Sequence, residues 1–251
     1  SLCFNTTIVV PETQSQEKLE MLRASGAKLI KVPAVPYRDE NNYIKFSARL
    51  AQELDEELPQ GAVWANQFDN TANRLSHFET TGPEIWDQTK GKLDAFVSAI
   101  GTGGTIAGVS QFLRQKKKDI TICLADPPGA ALYNYFVNGH LTAEGSSITE
   151  GIGQGRITDN LEGIQIDKAF RIPDQETIDI MFRLTREEGL FLGSSSGINV
   201  AASIRLAKEM GPGHCIVTIL CDSGTRYLSR LYNPDFLRSK ELSFPEWLSA
   251  D

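Results

Sequence analysis

The chain has 251 residues, of which 41% are apolar and 23% charged, and its net charge is −7. This composition is typical of a globular protein with one large or two modest domains, and the negative charge argues against nonspecific nucleic-acid binding. The chain has four cysteines without a C-x-x-C pair and only three histidines, which argues against a disulfide framework and a zinc site and favours a reducing compartment. It has no apolar run of membrane-spanning length, which argues against a membrane helix.

Strand-like apolar runs alternate with helical patterns along the chain. In chain order, the predicted elements are the strand TTIVV, the helix QSQEKLEMLRAS, the strand AKLIKV, the helix YIKFSARLAQELDEEL, the strand AVWANQF, the mostly helical NRLSHFETTGPEIWDQT, the strand DAFVSAI, a helix that starts at a glycine loop, the strands ITICLAD and AFRIP, the helices DQETIDIMFRLTREEG and GINVAASIRLAKEM, and the strand CIVTILCD. This alternation predicts an α/β protein with parallel twisted sheets and helices on both faces. We expect residues 1–70 to be the remainder of a smaller domain and residues 71–251 to form a larger one.

The glycine loop GTGGT, residues 101–105, lies between a predicted strand and a predicted helix. Such a corner presents free backbone N–H groups at the positive end of a helix, and parallel sheets bind ligands at the carboxyl ends of their strands. Glycine lets an anion approach the backbone, and the hydroxyls of Thr102 and Thr105 can add donors. The loop therefore predicts a phosphate site. The alternative is a tight turn whose glycines serve packing alone.

Two common phosphate motifs do not match this loop. The dinucleotide pattern G-x-G-x-x-G needs a third glycine where Ile106 stands, and the G-K-[ST] of a P-loop does not occur. These mismatches leave a phosphate-bearing ligand smaller than a dinucleotide.

Further motifs accompany the loop in a fixed order. They are NQFDNTANRLSHFETTGPEIWDQT upstream, and TEGIGQG, GSSSGINVA and CDSGTRYLS downstream. Together with GTGGTIAGV, over about residues 3–232, they resemble the fold-type II pyridoxal-phosphate enzymes. Within that family the resemblance is to the cysteine synthase group (O-acetylserine sulfhydrylases), which is similar to cystathionine β-synthases. It implies pyridoxal 5′-phosphate as the cofactor and residues 71–251 as the domain that binds it.

The resemblance also implies which residues hold the cofactor and the substrate. The implied cofactor-binding residues are Gly101, Thr102, Gly103, Gly104, Thr105 and Ser195. Ser195 would bond the pyridine nitrogen with a neutral hydroxyl, which suits β-elimination and β-replacement. The implied substrate-facing residues are Gln67, Gly151, Ile152 and Gly153. The plainer alternatives are a helix N-cap at Ser195 or Ser196, a polar strand end at Gln67 and a surface turn over residues 150–153.

One departure concerns the lysine that forms the family's Schiff base with the cofactor. That lysine lies in an S-x-K-[x]-R segment followed by a T-S-G-N-T-G loop, and neither occurs here. The chain also opens without methionine, almost directly in the predicted strand TTIVV. We therefore expect an N-terminally truncated chain, to which no catalytic residue and no metal is assigned and which is inactive on its own.

The reaction implied by the resemblance is a transfer that makes L-cysteine from an activated serine, such as O-acetylserine, and sulfide. Two alternatives stay open: a cysteine desulfhydrase, which is a lyase releasing sulfide, and a catalytically dead regulatory paralogue. We expect a homodimer when the protein is full length, with small-molecule partners and neither nucleic acid nor membrane. The expected location is cytoplasmic, or mitochondrial if a transit peptide precedes Ser1.

Overall fold

The computed structural model describes residues 4–249. Its strands are β1 (Thr7–Pro11), β2 (Lys28–Val32), β3 (Ala95–Ala99), β4 (Thr121–Asp126), β5 (Lys168–Arg171) and β6 (Ile216–Thr218). Its α-helices are α1 (Gln16–Ala24), α2 (Tyr43–Glu57), α3 (Ala72–Glu79), α4 (Thr81–Gln88), α5 (Gly104–Lys116), α6 (Leu132–Asn138), α7 (Asp174–Glu188), α8 (Ser194–Met210) and α9 (Pro234–Ser239). The chain divides into two compact units, Ser1–Asn66 with Arg226–Arg230, and Gln67–Thr225 with Leu231–Asp251.

The first unit is built on two parallel strands. β1 and β2 pair from Thr7 opposite Lys28 to Pro11 opposite Val32. Helix α2 begins after Asn42, whose side-chain oxygen accepts a hydrogen bond from the N–H of Ile44 and so satisfies a free helical donor. The segment Arg226–Arg230 returns to this unit from much later in the chain.

The second unit contains a four-stranded parallel sheet in the order β5-β4-β3-β6. Alternate side chains of its strands point to opposite faces, and each face is covered by helices. Phe96, Ile122 and Leu124 pack with Ile106 and Leu113 of α5 on one face. The neighbouring strand residues pack on the other face, in a cluster that includes Ala95, Val97, Cys123, Ala125, Ile180 of α7 and Ile198 of α8. The predicted parallel α/β architecture with helices on both faces is confirmed.

The structure differs from the predicted elements in several places. The predicted strand over residues 62–68 is irregular and ends in a turn. The helical pattern after it is interrupted at Thr80, which separates α3 from α4. Helices α6 and α9 were not predicted, and β6 covers only part of its apolar run. No helix among residues 4–249 has the length and apolar character needed to cross a membrane.

Candidate active site

The glycine loop lies where β3 ends and α5 begins. Gly103 is the residue before the first turn of α5 and has a φ of 94°, in the left-handed region that favours glycine. A Cβ atom on Gly103 would also lie 2.5 Å from the Cγ of Leu161. Conformation and space therefore both require glycine at this position. The N–H of Gly104, the first of α5, donates to the Thr102 hydroxyl. The N–H groups of Thr105 and Ile106 precede the first carbonyl within α5 that could accept them, as at every helix start, and are available to an anion.

A second loop packs directly on the first. A Cβ atom on Gly101 would lie 2.6 Å from the carbonyl oxygen of Gly151, and the N–H of Gly153 donates to the carbonyl of Ile100 at 3.0 Å. Gly151 is exposed with a φ of 80°, whereas Ile152 packs against the apolar cluster under α8. The structure thus brings the predicted substrate loop beside the predicted phosphate loop.

The hydroxyl of Thr102 is arranged as a donor. Its oxygen accepts hydrogen bonds from the Nδ2 of Asn73 at 2.9 Å and from the N–H of Gly104 at 3.3 Å. A hydroxyl oxygen accepts at most two such bonds, so its own hydrogen remains for a third group. That geometry suits a phosphate oxygen, which accepts and cannot donate when ionised.

The hydroxyl of Thr105 is held by a histidine. Its oxygen lies 3.1 Å from the Nε2 of His77, and the Nδ1 of the same ring lies 2.9 Å from the hydroxyl of Thr81. Burial lowers the pKa of His77, so the neutral ring has one donor nitrogen and one acceptor nitrogen. With the proton on Nε2, His77 donates to Thr105 and leaves the Thr105 hydrogen for an anion.

Helix α3 approaches α5 closely at two glycines one turn apart. A Cβ atom on Gly104 would lie 2.0 Å from the Oδ1 of Asn73, and one on Gly108 would lie 2.2 Å from the carbonyl oxygen of Arg74. The glycines of GTGGTIAG therefore serve helix packing as well as the loop. The sequence interpretation missed Asn73 and His77, although their spacing of four residues places them on one face of a helix.

Helix α8 presents three consecutive buried serines at its start. Its N-cap is Gly193, and the helix already includes Ser194, so the alternative interpretation of a cap at Ser195 or Ser196 is wrong. Ser196 instead accepts from the N–H of Cys221 at 2.9 Å. Burial raises the pKa of the Cys221 thiol, while a hydrogen bond with Ser195 opposes that shift. Ser195, near the start of α8, therefore lies against the loop that follows β6.

One side chain fixes the position of α8 against the sheet. The Oδ1 of Asn199 accepts from the N–H of Ala99 at 2.6 Å, and its Nδ2 donates to the carbonyl of Ile219 at 2.8 Å. Ala99 ends β3 and Ile219 follows β6, and these strands are parallel. The start of α8 and the glycine loop therefore lie at the same, carboxyl-terminal edge of the sheet. Ser194 is fully buried, and its hydroxyl has no hydrogen-bond partner among residues 4–249.

The segment at Gln67 is held by its backbone. The carbonyl of Gln67 accepts from the Nδ2 of Asn73 at 2.8 Å and from the Nδ2 of Asn160 at 3.1 Å. The two carboxylate oxygens of Asp69 accept hydrogen bonds from the Nη1 and Nη2 of Arg156, at 2.8 and 2.7 Å. This pairing holds the pKa of the Asp69 carboxyl below its usual value. The Gln67 side chain is exposed.

Replacing Arg156 with lysine is expected to lower the free energy of unfolding by about 1 kcal/mol, because lysine keeps the charge but loses the paired bonds to Asp69. Urea titration of both proteins measures this difference. The matched control is Arg183→Lys, whose pair with Glu187 is exposed and should leave the unfolding midpoint unchanged. An equal loss in both variants would contradict the structural role of the Asp69–Arg156 pair.

The family is decided by a comparison with known proteins. The model of a family described as pyridoxal-phosphate dependent enzymes matches residues 4–222. The chain belongs to the pyridoxal-phosphate dependent enzymes. The predicted family, its α/β fold and its cofactor are thereby confirmed. The donor set at the sheet edge fits this cofactor, because free N–H groups and the Thr102 hydroxyl suit a phosphate ester and the buried serines of α8 suit a ring nitrogen.

Relatives within this family of pyridoxal-phosphate dependent enzymes carry more specific names. Cysteine synthase 1 of Emericella nidulans is 49% identical over 95% of this chain and 65% of its own length. Cysteine synthase 1 of Neurospora crassa is 48% identical over 98% of this chain and 66% of its own. The O-acetylserine dependent cystathionine beta-synthase from Helicobacter pylori has a TM-score of 0.80 and 33% identity, covering 90% of this chain and 70% of that one. The chain thus spans slightly less than two thirds of these two fungal relatives.

Proposed function

We propose that the full-length protein makes L-cysteine from O-acetylserine and sulfide by a pyridoxal-phosphate dependent β-replacement. The observation that carries this proposal is the 49% identity to a cysteine synthase over 95% of the chain. The similar Helicobacter pylori protein is an O-acetylserine dependent cystathionine beta-synthase, and this supports an activated serine as the first substrate.

Residues of this chain would hold the cofactor at two points. The N–H groups at the start of α5 and the hydroxyls of Thr102 and Thr105 would donate to its phosphate. Gly101, Gly103 and Gly104 would shape the loop around it, since each packs where a Cβ atom would meet a neighbouring segment. Ser195 would bond the ring nitrogen. When bound, the cofactor draws electrons from the substrate's α carbon and so helps the β substituent to leave. A neutral hydroxyl at the nitrogen would moderate that withdrawal, which suits replacement at the β carbon.

We propose that the substrate is positioned by Gln67 and by the loop Gly151–Gly153. Gln67 is exposed on a segment whose backbone is pinned from two sides. The loop contacts the glycine loop through Gly101 and Ile100. Substrate bound against this loop would therefore lie close to the cofactor phosphate.

We further propose residues 71–251 as the cofactor-binding domain and a homodimer as the assembly. We propose the cytoplasm as the location, where the free thiols of Cys123, Cys215 and Cys221 stay reduced.

The test is to express the full-length coding sequence and to measure cysteine formation from O-acetylserine and sulfide. Release of sulfide from cysteine is assayed in parallel. Synthesis that exceeds sulfide release supports the proposal, whereas dominant release shows a desulfhydrase. Cofactor binding without turnover of either kind shows a regulatory paralogue.

In the same full-length protein, Gly103→Val should abolish cofactor binding. The valine side chain would meet Leu161, and the φ at position 103 is unfavourable for a β-branched residue.

A further inference from the structure

We infer that Asn73 is a positioning residue that couples phosphate binding in the glycine loop to the substrate-facing segment at Gln67. The inference rests on the proposed function, since it takes the loop as the phosphate site. It adds a residue that touches neither ligand and assigns to it a link between the two halves of the site.

The link consists of one amide group with two hydrogens. The Nδ2 of Asn73 lies 2.8 Å from the carbonyl oxygen of Gln67 and 2.9 Å from the hydroxyl oxygen of Thr102. An amide nitrogen carries two hydrogens, and each is used once here. Both bonds therefore form only when Gln67 and Thr102 occupy one relative position.

Close packing holds the amide in place. The Oδ1 of Asn73 occupies the space that a Cβ atom on Gly104 would need, at 2.0 Å. A side chain that is crowded in this way transmits a shift of the loop to Gln67 instead of absorbing it.

Phosphate would strengthen the link electrostatically. When the Thr102 hydroxyl donates its hydrogen to an anion, its oxygen becomes a better acceptor, because hydrogen bonds in a chain polarise one another. The bond from Asn73 then shortens and tightens, and the same amide holds the Gln67 carbonyl. Occupancy of the phosphate site would thus order the segment that faces the substrate before the substrate arrives.

Hydrogen exchange on the full-length protein, stripped of cofactor, tests the coupling with inorganic phosphate as the probe. In the unmodified protein, phosphate is expected to slow exchange in a peptide covering residues 66–72. In Asn73→Ala, phosphate should bind about tenfold more weakly, which corresponds to the loss of about one hydrogen bond. At saturating phosphate, the exchange of that peptide should no longer respond.

Two further variants complete the test. Thr102→Val removes the other end of the link. At phosphate concentrations that saturate this variant, the same peptide should no longer respond, which keeps the test decisive if Asn73→Ala does not fold. The matched control is Ser76→Ala, on the same helix, whose hydroxyl contacts only the backbone of Asn73; it should behave like the unmodified protein.

The outcomes separate the inference from the proposed function. If the unmodified protein binds neither phosphate nor pyridoxal phosphate, the proposed function fails and the inference fails with it. If the unmodified protein binds phosphate and Asn73→Ala gives the same affinity and the same exchange response, only the inference is overturned.

Discussion

Replacing Gly108 with alanine is expected to lower the free energy of unfolding by about 2–3 kcal/mol. In an open helix interior, the same change would add about 1 kcal/mol of stability, because alanine is the better helix former. Here the new methyl group would lie 2.2 Å from the carbonyl oxygen of Arg74 and 2.7 Å from the backbone nitrogen of Phe78. Backbone atoms cannot rotate away, so α3 and α5 must separate, and the sign of the effect reverses.

Urea unfolding, followed by circular dichroism, measures the Gly108 effect. Gly155→Ala is the matched control, because a Cβ atom there meets nothing within 4 Å and its φ lies outside the left-handed region. We expect that control to change stability by less than about 0.5 kcal/mol. A Gly108→Ala protein as stable as the control would show that α3 does not pack against α5 at this distance.

Replacing Asp126 with asparagine is expected to stabilise the protein above pH 6 and to have little effect near pH 4. Asp126 is fully buried at the end of β4, and one of its oxygens accepts from the N–H of Tyr133 at 2.8 Å. Burial raises the pKa of this carboxyl to about 6, against the smaller opposing effects of the Tyr133 N–H and of Arg171. The ionised carboxylate is therefore less favourable in the folded protein than in the unfolded one.

The sign follows from proton binding. Between the unfolded pKa of 3.8 and the folded pKa of about 6, the folded protein binds the proton and the unfolded chain does not. Stability therefore falls as the pH rises through this window, by about 3 kcal/mol in total. An asparagine side chain cannot ionise, so the Asp126→Asn variant should lack that fall. Urea midpoints at about pH 4 and pH 8 measure it, with Glu162→Gln as a control at an exposed carboxylate. Parallel pH profiles for the Asp126 variant and the unmodified protein would refute the assignment.

The sequence predicts the regular part of this fold well, for a physical reason. Buried parallel strands such as ITICLAD are continuous apolar runs, and long helices such as α7 show a clear amphipathic period, so both are recognised locally. The predicted strand over residues 62–68 is wrong, because AVWANQF has the composition of a strand but pairs with no other strand of residues 4–249. Its backbone carbonyls at Gln67 and Phe68 bond asparagine side chains instead.

The candidate site shows the same limit. The glycine loop and Ser195 are found from the sequence because short motifs carry them. Asn73 and His77 act through contacts with residues about 30 positions away along the chain, and no local pattern reveals such pairs. The alternative N-cap of α8 at Ser195 or Ser196 fails because the helix begins earlier, with Gly193 as its cap, and the Ser196 hydroxyl accepts from the distant N–H of Cys221 instead of from its own helix.

The first unit of the chain has a consequence for biosynthesis. Its final segment, Arg226–Arg230, contacts the helix α1 region at three points. The carbonyl of Arg226 accepts a hydrogen bond from the Ser15 hydroxyl, and the N–H and hydroxyl of Ser229 donate to the carboxylate of Glu17. The ammonium group of Lys18 lies over the ring of Tyr227. A ribosome releases these residues only after all of Gln67–Thr225 has emerged. Residues 15–18 therefore wait without these partners while residues 67–225 are synthesised, and the unit that contains β1 and β2 stays incomplete and exposed to aggregation throughout that interval.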